Sequence, residues 1–182
     1  MSNPLWAPWR MEYILGPKDR SRACIFCGID GAPAEERGER LVVASNARAF
    51  VMLNRYPFAA GHIMVIPHAH VSALEDLDEE TYDALFRLVR ASAVRLKKAL
   101  RAEGLNIGIN LGASAGAGVA EHLHVHIVPR WPGDTNFMPV IADVRVVPQS
   151  LLATREHLAK HFADLDEQGA LAPRDQTDGA AG

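Results

Sequence analysis

The sequence predicts an α+β fold in which one antiparallel sheet of about five strands packs against a long helix. Three observations lead to this class: short apolar runs outnumber the helical segments, the turns between the runs are brief, and one long segment has helical periodicity. Brief turns favour antiparallel pairing, because parallel strands need a crossover of about a dozen residues or more. With 182 residues, 48% of them hydrophobic, the chain can form one domain with a substantial core.

The first two strands are predicted to form a hairpin. Residues 41–44 and 49–53 are apolar, and the short segment between them suits a tight turn. Proline and glycine in residues 54–61 then interrupt the pattern before a third apolar run at 62–67. Residues 105–111 place aliphatic side chains at odd positions and Asn or Gly at even ones, which indicates a further strand.

Two segments are predicted to be helical. Residues 78–103 repeat apolar side chains at helical spacing, with Arg and Lys on the other faces. Asp76 or Asp78 can cap the start of this helix, and Gly104 can end it in a left-handed turn. A C-terminal helix is predicted over residues 148–162, because the proline at its start suits a first helical turn.

The most informative segment is residues 121–131, in which His122, His124 and His126 alternate with aliphatic residues. A period of two is typical of a half-buried strand, so we expect the three rings to share one face while the aliphatic side chains enter the core. Such a row of imidazoles can surround a phosphate group. The glycine-rich segment 110–118 lies just upstream, and glycine lets backbone N–H groups approach an anion closely. The alternative is an accidental metal-binding patch.

Composition excludes several classes of protein. The net charge of -3 argues against a general nucleic-acid binder, which needs a concentrated basic surface, although a nucleotide-sized anion can still bind. The first residues lack the pattern of a signal peptide, and no apolar run is long enough to suggest a membrane span. We therefore expect a cytoplasmic protein with no membrane partner. Its two cysteines form Cys24-Ile-Phe-Cys27, a spacing suited to metal or redox chemistry.

The chain is predicted to divide into three parts. Residues 1–23 form an aromatic arm that covers either a sheet or a partner subunit. Residues 24–165 form the folded domain with a C-terminal extension, in which residues 140–147 can be a short strand. Residues 166–182 are small and polar, and we expect them to be disordered.

The motif His122-Leu-His124-Val-His126-Ile-Val resembles the H-x-H-x-H pattern of the histidine triad (HIT) superfamily. His62-Ile-Met-Val-Ile-Pro, Asn54 before it and the glycine loop also stand where that family has them. The resemblance covers about residues 24–131, and several shorter motifs resemble those of bacterial diadenosine tetraphosphate phosphorylases and their close relatives. It implies the HIT-like fold and a homodimer whose two sheets join into one.

The resemblance also implies nucleotidyl transfer in two steps through a covalent nucleotidyl-histidine. His124 is then the nucleophile, and His126 with backbone N–H groups of the glycine loop stabilises charge on the phosphoryl oxygens. His122 completes the triad, and His62 contacts the phosphate or orients the triad.

For the nucleotide, the resemblance implies that Asn54 holds the ribose and that Phe50, with Ile29, lies against the base. Many hydrolase members carry a polar Gln or Ser where this chain has Gly118, so the leaving group and the acceptor stay open. The loop residues implied as nucleotide contacts are Asn110, Ser114, Gly116 and Gly118.

The same resemblance implies a structural zinc ion and no organic cofactor. By position its ligands are Cys24, Cys27, His70 and His122, two thiolates and two imidazoles that form a complete tetrahedral set. The alternative is a pair of free buried thiols beside a hydrogen-bonded histidine.

Three functions stay open at this point. The leading hypothesis is an enzyme that cleaves dinucleoside polyphosphates such as diadenosine tetraphosphate, either as a phosphorylase or as a hydrolase. The alternatives are an adenosine phosphoramidate hydrolase and a nucleotide-binding module without catalysis.

Overall fold

The computed structural model describes residues 24–134 and 150–165. Within them, five strands form one antiparallel sheet in the order β1-β2-β3-β5-β4, and three α-helices accompany it, so the predicted α+β class is confirmed. The predictions for residues 1–23, 140–147 and 166–182 lie outside the described residues. The strands are β1 (Val42–Ser45), β2 (Ala49–Leu53), β3 (Ile63–Pro67), β4 (Gly104–Ile109) and β5 (Val125–Arg130). The helices are α1 (Ala34–Glu39), α2 (Glu79–Leu100) and α3 (Leu151–Phe162).

The predicted hairpin of β1 and β2 is present. The side chain of Asn46 closes its turn, since Oδ1 accepts hydrogen bonds from the backbone N–H groups of Arg48 at 2.9 Å and Ala49 at 2.8 Å. An Asn side chain in this role takes the place of a backbone acceptor and is a common way to form a short turn. The side chain of Arg48 also pairs with Glu80, which connects the hairpin to the first turn of α2.

The long helix α2 begins where the sequence predicts and ends earlier. Asp78 accepts hydrogen bonds from both the backbone N–H and the hydroxyl of Thr81, each at 2.8 Å, so it is the N-cap. The prediction that Gly104 ends the helix is wrong. Arg101 takes the left-handed conformation, with φ of 50°, and its backbone N–H bonds to Lys97, while Gly104 is already the first residue of β4.

The C-terminal helix predicted over residues 148–162 is present, but it begins later than predicted. α3 begins at Leu151, and Ser150 caps it by accepting a hydrogen bond from the backbone N–H of Ala153 at 3.2 Å. Pro148, which the sequence analysis placed in the first turn, lies outside the described residues.

The sheet separates two apolar clusters of unequal size. Towards α2 and α3, alternate residues such as Val51, Val65 and Ile127 pack in the larger core. On the opposite face, Phe50 and Met64 belong to a smaller cluster that also includes Phe26 and Ile29. All five residues of β3 are buried, because this strand is covered on both faces. The smaller cluster lies on the face that carries the histidines.

Gly61 joins the loop after β2 to β3 in a conformation that few other residues adopt. Its φ is +75°, and a Cβ atom at this position would overlap the side chain of Leu100 at the end of α2. Glycine is therefore favoured here by the backbone angle, and an added methyl group would also force the end of the Leu100 side chain to move.

The two edges of the sheet differ. At the β1 edge, Arg155 of α3 donates from Nε to the backbone carbonyl of Val42 at 2.9 Å, so this carbonyl already has a partner. At the other edge, β4 has β5 as its one partner strand among residues 24–134 and 150–165, and Ile107 is 49% exposed, with Leu111 just beyond the strand 44% exposed. An exposed edge with apolar side chains can pair with another strand. Within the described ranges, no helix is both long and apolar enough to cross a membrane.

The prediction that all three triad histidines lie on one strand is wrong in part. β5 starts at Val125, so only His126 is within it, while His122 and His124 precede it in irregular backbone. The reason lies in the neighbouring strands, which stop providing partners. β3 ends at Pro67, which has no N–H to donate, and the pairing between β4 and β5 ends at Val125. The aliphatic residues that alternate with the histidines are buried in the larger core, as predicted.

Candidate active site

The three histidines of the triad reach the same region from different backbone positions. His122 is fully buried and His124 is 4% exposed, whereas His126 is half-buried on β5, where it pairs with Met64 of β3. The rings of His124 and His126 are 4.9 Å apart and nearly perpendicular. His62, which ends the loop before β3, is fully buried beside His126. The structure therefore brings together the four histidines that the sequence analysis proposed as catalytic.

His124 has one ring nitrogen engaged with the backbone. Its Nδ1 atom lies 2.8 Å from the carbonyl oxygen of His122, and because a carbonyl only accepts, Nδ1 must carry the proton. The Nε2 atom of a neutral ring is then left with a lone pair. Burial lowers the pKa of His124, although the hydrogen bond to His122 opposes this, so the neutral form is favoured. A neutral imidazole with one free lone pair is a competent nucleophile.

A chain of hydrogen bonds fixes the proton of His126 in the same way. The backbone N–H of Phe58 donates to Nδ1 of His62 at 3.2 Å, so the proton of the neutral His62 ring is on Nε2. Nε2 of His62 lies 3.0 Å from Nδ1 of His126 and donates to it. The remaining proton of His126 is therefore on Nε2, where it can donate to an oxygen of a substrate. Burial, and then the proximity of His124, lower the pKa of His126 to about 4.

The glycine loop follows β4 and is partly closed on itself. Gly112 and Gly116 both have positive φ, at 77° and 85°, and they flank the 3-10 turn Ala113–Ala115. The N–H groups of Gly116 and Ala117 bond to carbonyls within the loop, so these two do not face a ligand. Of the four loop residues predicted to contact the nucleotide, Asn110, Ser114 and Gly118 are therefore still expected to do so. Ser114 is exposed, and the other two are partly buried.

The residues predicted to hold the base are buried more deeply than expected. Phe50 is 0% exposed and Ile29 is 1% exposed, and Phe50 stacks on the ring of His68 with the centroids 5.3 Å apart. Neither side chain is open to solvent in this structure. Met52, at the margin of the same cluster, is partly exposed and was not identified from the sequence. The smaller apolar cluster thus forms the floor of the site.

Phe26 is a second residue that sequence reasoning missed. Its ring centroid lies 5.5 Å from that of His122 and 5.4 Å from that of His124, so it packs against the nucleophile candidate. It stands between Cys24 and Cys27, and an aromatic residue inside a cysteine pair is the signal that could have identified it.

Asn54, the predicted ribose contact, lies next to His62. Its backbone N–H donates to the carbonyl of His62 at 2.9 Å, and its side-chain oxygen accepts from the backbone N–H of Tyr56 at 2.8 Å. The side chain is thus held at the start of the loop that leads to His62. Its amide NH₂ group can donate a hydrogen bond to a ribose hydroxyl.

The four residues expected to bind a metal ion do come together. One ligand atom from each of the four residues lies within 4.8 Å of every other. Sγ of Cys24 is 3.3 Å from Nδ1 of His122, and Sγ of Cys27 is 3.2 Å from Nδ1 of His70. A tetrahedral zinc site with bonds of about 2.0 to 2.3 Å has ligand atoms roughly 3.3 to 3.8 Å apart. The donor set and its spacing therefore fit a small thiophilic ion, and the four residues form a possible metal site.

The hydrogen bonds around His122 agree with a ligand role. Its Nε2 atom is 2.9 Å from the carbonyl oxygen of Pro67 and must donate to it. Nδ1 is then unprotonated and faces the two thiols, which is the arrangement that orients a metal-binding imidazole. The same residue also supplies the carbonyl that holds His124, so the metal site and the nucleophile candidate share His122.

A comparison with protein-family models matches residues 36–133 to the HIT domain, which is more than half of the chain. The chain belongs to the HIT-domain family. A protein named AP-4-A phosphorylase, from Mycobacterium tuberculosis, is 42% identical over 163 residues, which cover 87% of this chain and 84% of the relative.

Two further relatives extend the comparison. A Schizosaccharomyces pombe protein named bis(5'-nucleosyl)-tetraphosphatase (asymmetrical) is 42% identical over 86 residues, covering 47% of this chain and 46% of that one. Among solved structures, a zinc-bound histidine triad family protein from Mycobacterium smegmatis is 29% identical with a TM-score of 0.61. That alignment covers 79% of this chain and 95% of the solved chain. The HIT-like fold predicted from the sequence is thus confirmed.

Proposed function

We propose that this HIT protein cleaves dinucleoside polyphosphates through a nucleotidyl-histidine on His124. The observation that carries the proposal is the hydrogen bond from Nδ1 of His124 to the carbonyl of His122, which leaves Nε2 unprotonated. The names of the M. tuberculosis and S. pombe relatives support the substrate class. Both names refer to dinucleoside tetraphosphates.

In the first step, Nε2 of His124 forms a bond to the α-phosphorus of one nucleoside, and the bond from that phosphorus to the bridging oxygen of the remaining polyphosphate breaks. The leaving polyphosphate departs as an anion. His126 donates its Nε2 proton in a hydrogen bond to the oxygens that gain charge, and the glycine loop adds backbone N–H groups. Since His126 is neutral, it contributes a directed dipole rather than a full positive charge.

In the second step, an oxygen of inorganic phosphate or water attacks the same phosphorus and the bond to Nε2 breaks. The proton of the attacking group passes to solvent, and His124 recovers its lone pair. Asn54 is proposed to hold the ribose, and the smaller apolar cluster near Phe50 is proposed to support the base.

The test is to incubate the pure protein with diadenosine tetraphosphate, with and without inorganic phosphate, and to separate the nucleotides by chromatography. ADP and ATP formed only with phosphate identify a phosphorylase, and AMP and ATP formed without it identify a hydrolase. Absence of any product overturns the proposal. Adenosine phosphoramidate is assayed in parallel, because turnover of that compound alone would favour the phosphoramidate hydrolase.

The ion proposed for Cys24, Cys27, His70 and His122 is zinc, in a structural role. Two thiolate and two imidazole ligands leave no open position for substrate, and the zinc-bound relative from M. smegmatis supports the choice. Zinc supplies a rigid centre that would hold the His122 side chain, and through it the carbonyl that accepts from His124. Reduced thiols are also consistent with the cytoplasmic location that we propose.

The proposed assembly is a homodimer in which β4 pairs with β4 of a second copy. The exposed edge of β4 and the exposed side chains of Ile107 and Leu111 support this. Such pairing would continue the sheet from one chain to the next and would cover both side chains.

A further inference from the structure

Arg40 holds the turn that carries both cysteines by two backbone carbonyls at once. Its Nη2 atom donates to the carbonyl of Ile25 at 2.6 Å and to that of Cys27 at 3.0 Å. Its Nη1 atom donates to Glu36 at 3.3 Å, one helical turn earlier in α1, which directs the guanidinium towards the cysteine turn. The side chain of Arg40 is only 25% exposed. Arg40 therefore attaches the turn to the segment that leads into β1.

We propose that Arg40 is a positioning residue for the metal site, although it is not a ligand. The inference rests on the proposed zinc site and adds a residue that sets how tightly this site binds its ion. A search of the sequence for metal ligands would not identify this residue, because arginine is not a metal-ligand type.

The reason is geometric. Hydrogen bonds to the carbonyls of Ile25 and Cys27 fix the shape of the turn, and the shape of the turn sets the separation of the two Sγ atoms. A site whose ligands are already in place loses less conformational entropy when the ion binds. Nη2 donates to both carbonyls while Nη1 donates to Glu36, and a lysine, with its single nitrogen, cannot place donors at both positions.

The same turn also contacts the nucleophile candidate. Phe26, between the two cysteines, packs on the ring of His124. A turn that loses its attachment to Arg40 would therefore disturb the metal ligands and the wall of the active site together.

The test measures the zinc dissociation constant by competition with a chromophoric chelator for the wild type, Arg40→Gln and Arg40→Lys. We expect Arg40→Gln to bind zinc about tenfold more weakly or worse, as is usual when a residue that orients metal ligands is lost. Arg40→Lys, which keeps the charge but not the planar fork, should lie between Arg40→Gln and the wild type.

The matched control is Arg87→Gln. Arg87 makes the same kind of ion pair with a residue one helical turn earlier, Asp83, but it is on α2, and among the described residues it makes no hydrogen bond to the cysteine turn. Its zinc affinity should equal that of the wild type. Unfolding temperatures of the metal-free proteins are measured alongside, so that a lower affinity at an unchanged unfolding temperature assigns the effect to the site.

Two results would overturn the inference, and they differ in what else they overturn. If the wild type binds one zinc ion and Arg40→Gln binds it equally tightly, Arg40 has no positioning role while the zinc site stands. If the wild type binds no zinc, the proposed zinc site fails and the inference fails with it. Should Arg40→Gln not fold, the affinity of Arg40→Lys decides, and equality with the wild type counts against the proposal.

Discussion

Hydrogen bonds to backbone carbonyl and N–H groups determine which ring nitrogen of each active-site histidine carries the proton. Two backbone carbonyls accept from His122 and His124, and one backbone N–H donates to His62. The second nitrogen of each ring is therefore fixed as either a hydrogen-bond donor or an acceptor. The result is a lone pair on Nε2 of His124 and a proton on Nε2 of His126, which are a nucleophile and a hydrogen-bond donor side by side.

Replacing His124 tests the nucleophile directly. His124→Asn removes the ring nitrogen that would attack phosphorus, so we expect kcat for diadenosine tetraphosphate to fall by about 10³-fold or more. Product formation is followed by chromatography, and mass spectrometry of the wild type without phosphate should detect a nucleotidyl adduct on this residue. His157→Gln, on the surface of α3, is the control and should keep full activity. Turnover by His124→Asn within tenfold of the wild type would rule out this nucleophile.

The lowered pKa of His126 predicts a pH dependence of stability. Because burial moves this pKa from 6.5 to about 4, the folded protein binds fewer protons than the unfolded chain between these values. The free energy of unfolding should therefore decrease as the pH falls from about 6.5 to 4, with a contribution from this group of about 2 kcal/mol after allowance for its partial exposure.

This dependence is measured by urea denaturation across that pH range. His126→Asn, whose side-chain oxygen can still accept from His62, should lose part of the slope, while His157→Gln should keep all of it. An identical slope for the wild type and His126→Asn would contradict the assignment.

Most residues of this site could be predicted from the sequence, but the residues that pack around them were not. The alternating histidines and the cysteine pair are patterns in the sequence itself, and the residues that they predicted do lie together. Phe26 was missed although its position between the two cysteines was a usable signal. Arg40 has no such signal, because its contacts depend on how the cysteine turn and the end of α1 meet, and no spacing rule encodes that arrangement.

Among the elements, the strands were predicted more reliably than their ends. Apolar runs located β1, β2 and β3, and apolar alternation located β4 and β5, because both patterns reflect burial of side chains. The start of β5 was missed, since it depends on where Pro67 removes a donor from the neighbouring strand. The end of α2 was missed because Arg101 adopts a left-handed conformation that usually falls to glycine. Local propensity yields to tertiary contacts at such positions.

Gly61 is the position at which one element most constrains another. Gly61→Ala should lower the free energy of unfolding by about 2 kcal/mol, because alanine must take a positive φ and its methyl group would press on Leu100. Urea denaturation measures the change. Gly31→Ala is the matched control, since no atom lies within 4 Å of its added Cβ, and its effect should stay below about 0.5 kcal/mol. Equal stability of the two variants would contradict this account.

For the whole molecule, the main prediction concerns assembly. Ile107→Lys places a charge on the exposed edge strand, so we expect it to convert the proposed dimer into a monomer. Analytical ultracentrifugation measures the mass of each form. Leu152→Lys is the control, because Leu152 is 58% exposed on α3 and should not affect the mass. A wild type that sediments as a monomer, or an Ile107→Lys variant that remains dimeric, would exclude pairing through β4.

The contact between Arg155 and β1 bears on how far such pairing can continue. A sheet with two open edges can add chains at both ends and grow into a filament. Here Arg155 of α3 donates to the carbonyl of Val42 in β1, so this carbonyl is not available to an added strand. If two chains pair through β4, the outer edges of the combined sheet are the two β1 strands, each with this carbonyl already bonded. The C-terminal helix would thus hinder a third chain from extending the sheet.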